Sequence, residues 1–369
     1  MIDATSLLLV SAGAKTYMYH WVKSLLGTRS QDSIHLFPLL GEFSTLDHRR
    51  SSTDWLRTMM STGVVRFSNI KGNPVLELVG ASADVFHASQ HLRNPPSRKT
   101  RLTATIYDMT CWIMPEVHTP SNVAATRRYG ERVLQRSTAC IAISEQSKMD
   151  AVEILNLPAE KIDVIYPGVA DEFFAAGCAQ ARVAAKKYGL EKPYFLYLGM
   201  IEPRKNIDRL IDAYRSLCAP VLKEHELVIA GPLGWCSEET KARLNAPNTG
   251  VRYLGYVPEA DLPGLTAGAT AFVYPSLYEG FGLPLVQAMA CGVPAITSNS
   301  SSLREIAGEA AVLVDPTNTE SIAVAMAQVA MSPTFGEDLR QRGRVRAAAF
   351  RWERSAEQSL AFFHKFAVT

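Results

Sequence analysis

Short runs of β-branched and aromatic residues alternate with helix-patterned stretches along all 369 residues of this chain. That alternation is the signature of parallel βαβ units, and it restricts the fold more than any single motif does. Strands are expected at Ile34–Phe37, Val85–Ala88, Thr103–Tyr107, Ala139–Ile143 and Val164–Tyr166 in the first half. In the second half they are expected at Tyr194–Gly199, Leu227–Ala230, Val251–Leu254, Ala271–Tyr274, Pro294–Thr297 and Ala311–Val314. The clearest helix follows Asn206, where Ile207, Leu210, Ile211, Tyr214 and Leu217 recur on one face. A chain of this length exceeds the about 250 to 300 residues at which a single core stops growing, so two α/β domains are expected. The segment Tyr166 to Asp171, with its strand-ending Pro167 and Gly168, reads as the linker. It sets the domains at 1–168 and 175–350, with an amphipathic helix over 352–369 that packs back on the first. The opening Met1-Ile2-Asp3-Ala4 leaves little room for a first strand, so either that strand is short or the true start lies upstream.

Composition narrows the class. The apolar fraction, 47%, and the charged fraction, 20%, are those of an ordinary folded enzyme rather than a disordered chain. Apolar stretches such as Leu7–Val10 and Leu227–Ala230 fall far short of the roughly 18 to 20 residues that span a bilayer. No basic leader precedes an apolar run, and a cytoplasmic location is expected. Cys111, Cys140, Cys178, Cys218, Cys236 and Cys291 show neither a C-x-x-C pairing nor His partners at metal spacing, so reduced packing thiols and no metal are expected. The net charge of +2 gives no reason to expect a nucleic-acid partner.

Two stretches carry chemistry. From Ala271 to Pro284 a buried strand runs through Glu279-Gly280-Phe281-Gly282 into a helix that opens at Leu283 and Pro284. The N–H groups of Phe281, Gly282 and Leu283 are placed to meet an anion such as a phosphate at the helix N-terminus, with glycines letting the ligand approach the backbone. A tight turn is the plainer explanation of Gly-x-Gly taken alone. Glu279 sharpens the reading, because a carboxylate beside a phosphate is suited to accepting hydrogen bonds from hydroxyls on the same ligand, as in a sugar; helix capping is its alternative role. The second stretch, Gly199 to Asn206, holds adjacent Arg204 and Lys205, a planar fork and a mobile point charge suited to a diphosphate. A solvated basic turn is the alternative.

Together these stretches resemble the C-terminal domain of glycosyltransferase family 4, the retaining enzymes of GT-B fold. The resemblance covers nearly all of Pro193 to Ala349 and includes the blocks at 197–206, 228–232, 254–257, 274–284 and 290–294. It implies two Rossmann-like domains facing each other across a cleft, with a nucleotide-sugar donor bound by the second. It further implies that Arg204 and Lys205 hold the diphosphate, Glu279 contacts the sugar, Gly280 to Leu283 cradle phosphate, and Tyr256 and Val257 lie near the base. In the family a second glutamate, eight residues after the first, grips the ribose; here that position is Gln287, which accepts a hydrogen bond without charge assistance.

Weaker blocks at 11–17, 84–87, 105–108, 143–145 and 166–169 extend the resemblance toward bacterial mannosyl- and rhamnosyltransferases of polysaccharide assembly. The family's Gly-x-Gly loop reads Gly13-Ala14 here, and its His-Asp reads Tyr107-Asp108, leaving Asp108 as the catalytic candidate of this half. His87 is expected to be structural. The resemblance implies transfer of a hexose, mannose or rhamnose, to a saccharide or lipid-linked saccharide with retention, the leaving diphosphate helping to take the acceptor proton. No cofactor or metal is implied. The run Arg93 to Arg101 and the stripe Arg128, Arg132, Arg136 could meet the inner face of a membrane or a lipid-linked diphosphate, solvated faces being the default. A nucleotide-sugar 2-epimerase and a catalytically impaired nucleotide-sugar binding protein are the alternatives.

Overall fold

The computed structural model describes residues 1–8, 12–38, 43, 55–69, 78, 83–90, 92, 96 and 101–367. The chain forms two units, Met1–Gly168 with Arg351–Thr369, and Val169–Phe350.

In the first unit, β1 (Ile2–Asp3), β2 (Leu36–Phe37), β3 (Val85–Ala88), β4 (Arg101–Ile106), β5 (Ala139–Ala142) and β6 (Ile162–Val164) form a sheet in the order β2-β1-β3-β4-β5-β6. All described pairings are parallel. The first strand is short, two residues, yet Ile2 stands opposite both Leu36 and His87. β3 and β5 are buried at every position, as strands covered on both faces are. Several strand ends differ from expectation by one or two residues. β2 keeps only two residues of Ile34–Phe37, matching the length of β1 beside it. β6 ends at Val164 rather than Tyr166, because β5 ends opposite it at Ala142 and leaves no ladder beyond. β4 ends at Ile106, which puts Tyr107 and Asp108 on the loop at its C-terminal end.

Helix Trp352–His364 belongs to this unit and packs on helix Ala12–Gly27. The Trp21 indole N–H donates to Ser359 Oγ at 2.9 Å. The rings of Trp352 and Tyr17 lie 5.6 Å apart, and those of Phe363 and His87 5.2 Å apart. Gly168 lets the returning chain pass, since a Cβ there would stand 2.1 Å from the Trp352 backbone N. Gly168→Ala should therefore destabilise the protein by about 1–3 kcal/mol, the range for overpacking against atoms that cannot give way, read as a lowered melting temperature.

The basic surface expected here is described only in part. The run from Arg93 to Lys99 lies outside the described residues, Pro96 excepted. Arg128, Arg132 and Arg136 are all exposed, and helix Pro120–Tyr129 passes into a π-helical turn at Gly130–Leu134 between them. Arg136 donates to the Pro96 carbonyl at 3.3 Å. No helix among the described residues is long and apolar enough to cross a membrane.

In the second unit, β7 (Tyr194–Leu198), β8 (Glu226–Ala230), β9 (Val251–Gly255), β10 (Ala271–Tyr274), β11 (Ala295–Ser298) and β12 (Ala311–Val314) form a parallel sheet in the order β12-β11-β10-β7-β8-β9. This is the doubly wound order 3-2-1-4-5-6 read from the other edge. Helix Ile207–Arg215 lays Ile207, Leu210, Ile211 and Tyr214 inward as its periodicity requires, and Leu217 is buried just past its end. The strand order reverses between β7 and β10. The loops leaving their C-terminal ends, 199–206 and 275–282, therefore open side by side at the switch point, where sheets of this kind bind ligands.

Candidate donor site

The two switch-point loops are tied together through their backbones before any charge is considered. The Leu277 N–H donates to the Arg204 carbonyl at 2.9 Å. The Asn206 side-chain amide donates to the carbonyls of Pro275 and Pro316, at 3.0 and 2.7 Å. Asn206 stands at φ +61°, a conformation asparagine tolerates better than most residues, and helix Ile207–Arg215 starts directly after it.

On this frame Arg204, Lys205 and Glu279 meet. Arg204 donates to Glu279 Oε2 at 2.7 Å and to the Tyr278 carbonyl at 2.6 Å, and its other terminal nitrogen donates to Glu202 Oε1 at 2.7 Å. Lys205 Nζ donates to Glu279 Oε1 at 2.5 Å and to the Tyr274 hydroxyl at 2.7 Å. All four charged side chains are largely withdrawn from solvent. Two cations and two carboxylates make the cluster neutral. The basic pair expected from the sequence is thus already paired with carboxylates, Glu279 bridging the two cations.

Burial pushes the Glu279 carboxyl up, but the Arg204 and Lys205 cations overcome it and hold the group at about 2. The Lys205 ammonium is shifted down from its usual value, chiefly by burial and then by Arg204. Burial, and next the Glu279 charge, push the Tyr274 phenol well above its usual range, so it stays protonated and can accept from Lys205. Glu202 and Tyr274 were not singled out from the sequence; the signal for Glu202 was its place two residues before Arg204.

After Glu279 the chain turns through Gly282, at φ +93°, into helix Leu283–Ala290, with Pro284 as its second residue. Leu283, Pro284 and Gln287 share the half-buried face of that helix, while Leu285, Val286, Ala288 and Met289 are buried. Gln287 therefore stands on that half-buried face, one turn into the helix that follows Glu279. Gly280 and Phe281 are buried, and the Phe281 ring lies 5.5 Å from that of Phe350. Past β9, Tyr256 is 62% exposed and open to stacking, whereas Val257 is buried.

The first-unit residues are arranged differently. Gly13 and Ala14 lie in the first turn of helix Ala12–Gly27 rather than in a loop, and a Cβ at Gly13 would meet nothing within 4 Å. Ser11 lies outside the described residues. Asp108 accepts from the Thr110 N–H at 3.0 Å and from the Thr110 hydroxyl, tying down the start of helix Thr110–Ile113, and it lines a cavity with Gln90, Trp112 and Thr126. The Tyr107 hydroxyl is buried without a hydrogen-bond partner among the described residues, its ring edge-on to Tyr17 at 5.4 Å. His87 is enclosed, its ring nitrogens 2.9 and 2.7 Å from the hydroxyls of Thr103 and Thr105, and burial lowers its pKa to about 3. It is a neutral packing residue. Among the described residues no group of three or more His, Cys, Asp or Glu side chains could hold a metal.

Residues 182–346 match the family model described as glycosyl transferases group 1. The O-antigen chain mannosyltransferase B of Escherichia coli is 34% identical over 72% of this chain and 70% of its own. The serotype-specific mannosyltransferase WbdA of Escherichia coli is 30% identical over 62% of this chain, which spans only 29% of that longer protein. Among solved structures, Anabaena HepE in complex with UDP and glucose superposes with a TM-score of 0.70 at 17% identity over 96% of each chain. WaaG, a glycosyltransferase involved in lipopolysaccharide biosynthesis, does so with 0.66 at 15%, again over 96% of each. The relatives are transferases, which removes the epimerase alternative. Doubly wound sheets, a charged switch-point site and a relative matched over most of both chains converge: the chain belongs to the group 1 glycosyltransferases of GT-B fold and is itself a glycosyltransferase.

Proposed function

We propose that the protein transfers mannose from a nucleotide-activated donor to a saccharide, as a step in bacterial polysaccharide assembly, with retention of anomeric configuration. The observation that carries this reading is the Arg204–Glu279–Lys205 cluster at the switch point of the second unit. The similarity to O-antigen mannosyltransferase B supports the choice of sugar.

A donor diphosphate exchanges with Glu279 for the two cations, and the amides of residues 281–283 add donors from the helix N-terminus. Glu279, released from Arg204 and Lys205, turns its carboxylate to the hydroxyls of the donor sugar. Tyr256 stacks near the base and Gln287 accepts one ribose hydrogen bond. As the glycosidic bond to the diphosphate breaks, Arg204 and Lys205 stabilise the charge developing on the leaving oxygen in place of a metal. The acceptor is a saccharide or a lipid-linked saccharide, and Asp108 is the catalytic candidate of the first unit. The protein acts in the cytoplasm, and contact with the inner face of the membrane would come through its basic first-unit surface.

Thermal-shift titration against GDP-mannose, dTDP-rhamnose, UDP-glucose and UDP-N-acetylglucosamine tests the donor. A ligand bound only by the native state raises the melting temperature by linkage. Stabilisation by GDP-mannose that is absent in the Arg204→Ala, Lys205→Ala double variant is the expected result. Stabilisation by another donor alone would overturn the choice of mannose.

A further inference from the structure

The turn that carries Glu279 is held along its length by a run of serines. Ser298 Oγ donates to the Ser276 carbonyl at 2.6 Å and Ser300 Oγ to the Leu277 carbonyl at 3.2 Å. Glu279 is held at both ends of its own backbone: its N–H donates to Ser301 Oγ at 3.0 Å, and its carbonyl accepts from Ser302 Oγ at 2.8 Å. The same segment touches the far end of the turn, where a Cβ on Gly282 would meet Leu303 Cδ2 at 2.6 Å.

Ser301 stands out within this run. Its φ of +51° lies in the left-handed region, and the other non-glycine residues with positive φ among the described residues, Asn156, Asn206 and Asn248, are of the type that tolerates it. A serine is strained there. In this conformation Oγ lies under the Glu279 amide while residues 302 and 303 enter helix Ser301–Ala307.

We propose that Ser301 is a positioning residue of the donor site. It fixes the Glu279 backbone so that the carboxylate can leave Arg204 and Lys205 for the donor sugar without the turn itself shifting. This rests on the reading of Glu279 as the group that faces the donor sugar. A carboxylate that must exchange partners needs a backbone that does not move with it, and a hydrogen bond to the residue's own N–H supplies that at the shortest lever arm.

Ser301→Ala and Ser301→Gly separate this role from a contribution to folding alone. Both remove the hydroxyl, and only glycine relieves the φ strain, so Ser301→Gly should melt above Ser301→Ala. Each should nevertheless lose about tenfold in kcat, the order expected for one lost hydrogen bond, and each should speed amide exchange across residues 277–282. The kcat loss should vanish in a Glu279→Ala background, because the two residues act through one another. A Ser301→Gly variant with wild-type kcat, or unchanged exchange across 277–282, would overturn the proposal. If the wild type transfers no sugar, the reading of the reaction fails, and exchange in the presence of GDP still decides the role of Ser301.

Discussion

Arg204→Ala and Lys205→Ala are each expected to lower kcat/KM by about a thousandfold, measured at a temperature where the variant is folded by circular dichroism. Each removes a buried cation from the place where negative charge develops on the leaving diphosphate, and loss of one such preorganised donor typically costs ~10²–10³ in rate. The loss should fall mainly on kcat, because that charge is greatest in the transition state. Arg204→Lys should rescue only in part. Arg204 reaches Glu279 through one terminal nitrogen and Glu202 through the other, a fork that a point charge cannot reproduce. Wild-type kcat/KM in either alanine variant would show that the leaving group is stabilised elsewhere.

Stability should respond as strongly to the carboxylate of the same cluster. Glu279→Ala leaves Arg204 and Lys205 buried beside only one carboxylate, Glu202, and about 3–5 kcal/mol of destabilisation is the usual consequence of breaking a buried pair from one side. Glu279→Gln combined with Lys205→Met keeps the volume and removes one charge of each sign, so it should recover most of that loss while remaining inactive. The acid limb of the stability profile carries the same signature. The folded-state value of Glu279 is about 2 against an ordinary 4.5, so its stabilisation is complete above about 4.5 and is lost as pH falls toward 2. Lys205 is also shifted downward, through burial, and for a cation that shift costs stability wherever it is charged, so the pair contributes less at neutral pH than Glu279 alone would. Urea titrations between pH 2 and 6 should show a steeper acid loss in the wild type than in Glu279→Gln with Lys205→Met. Parallel profiles would mean that Glu279 is not held by these cations in solution.

What the sequence revealed depended on whether a residue's role was local. The buried strand Ala271–Tyr274 and the inward face of helix Ile207–Arg215 could be read from apolar runs and spacing, because burial writes those patterns directly. Arg204, Lys205 and Glu279 were legible as residue types beside a helix N-terminus, yet their mutual contact was not: they lie some seventy-five positions apart and meet only through the strand order. Glu202 and Tyr274 completed the cluster unannounced. Nothing local in the stretch Ser298 to Ser302 shows that Ser301 reaches back to Glu279. In the first half, Gly13 and Ala14 resembled a loop and proved to be helical.

Incubation of the protein with GDP-α-mannose and a mannan oligosaccharide, followed by mass and anomeric analysis of the product, tests mannosyl transfer most directly. A saccharide longer by one hexose, carrying a new α-linkage and formed in step with GDP release, is the expected outcome. GDP release without a lengthened saccharide across a panel of acceptors, or a new β-linkage, would contradict retaining mannosyl transfer.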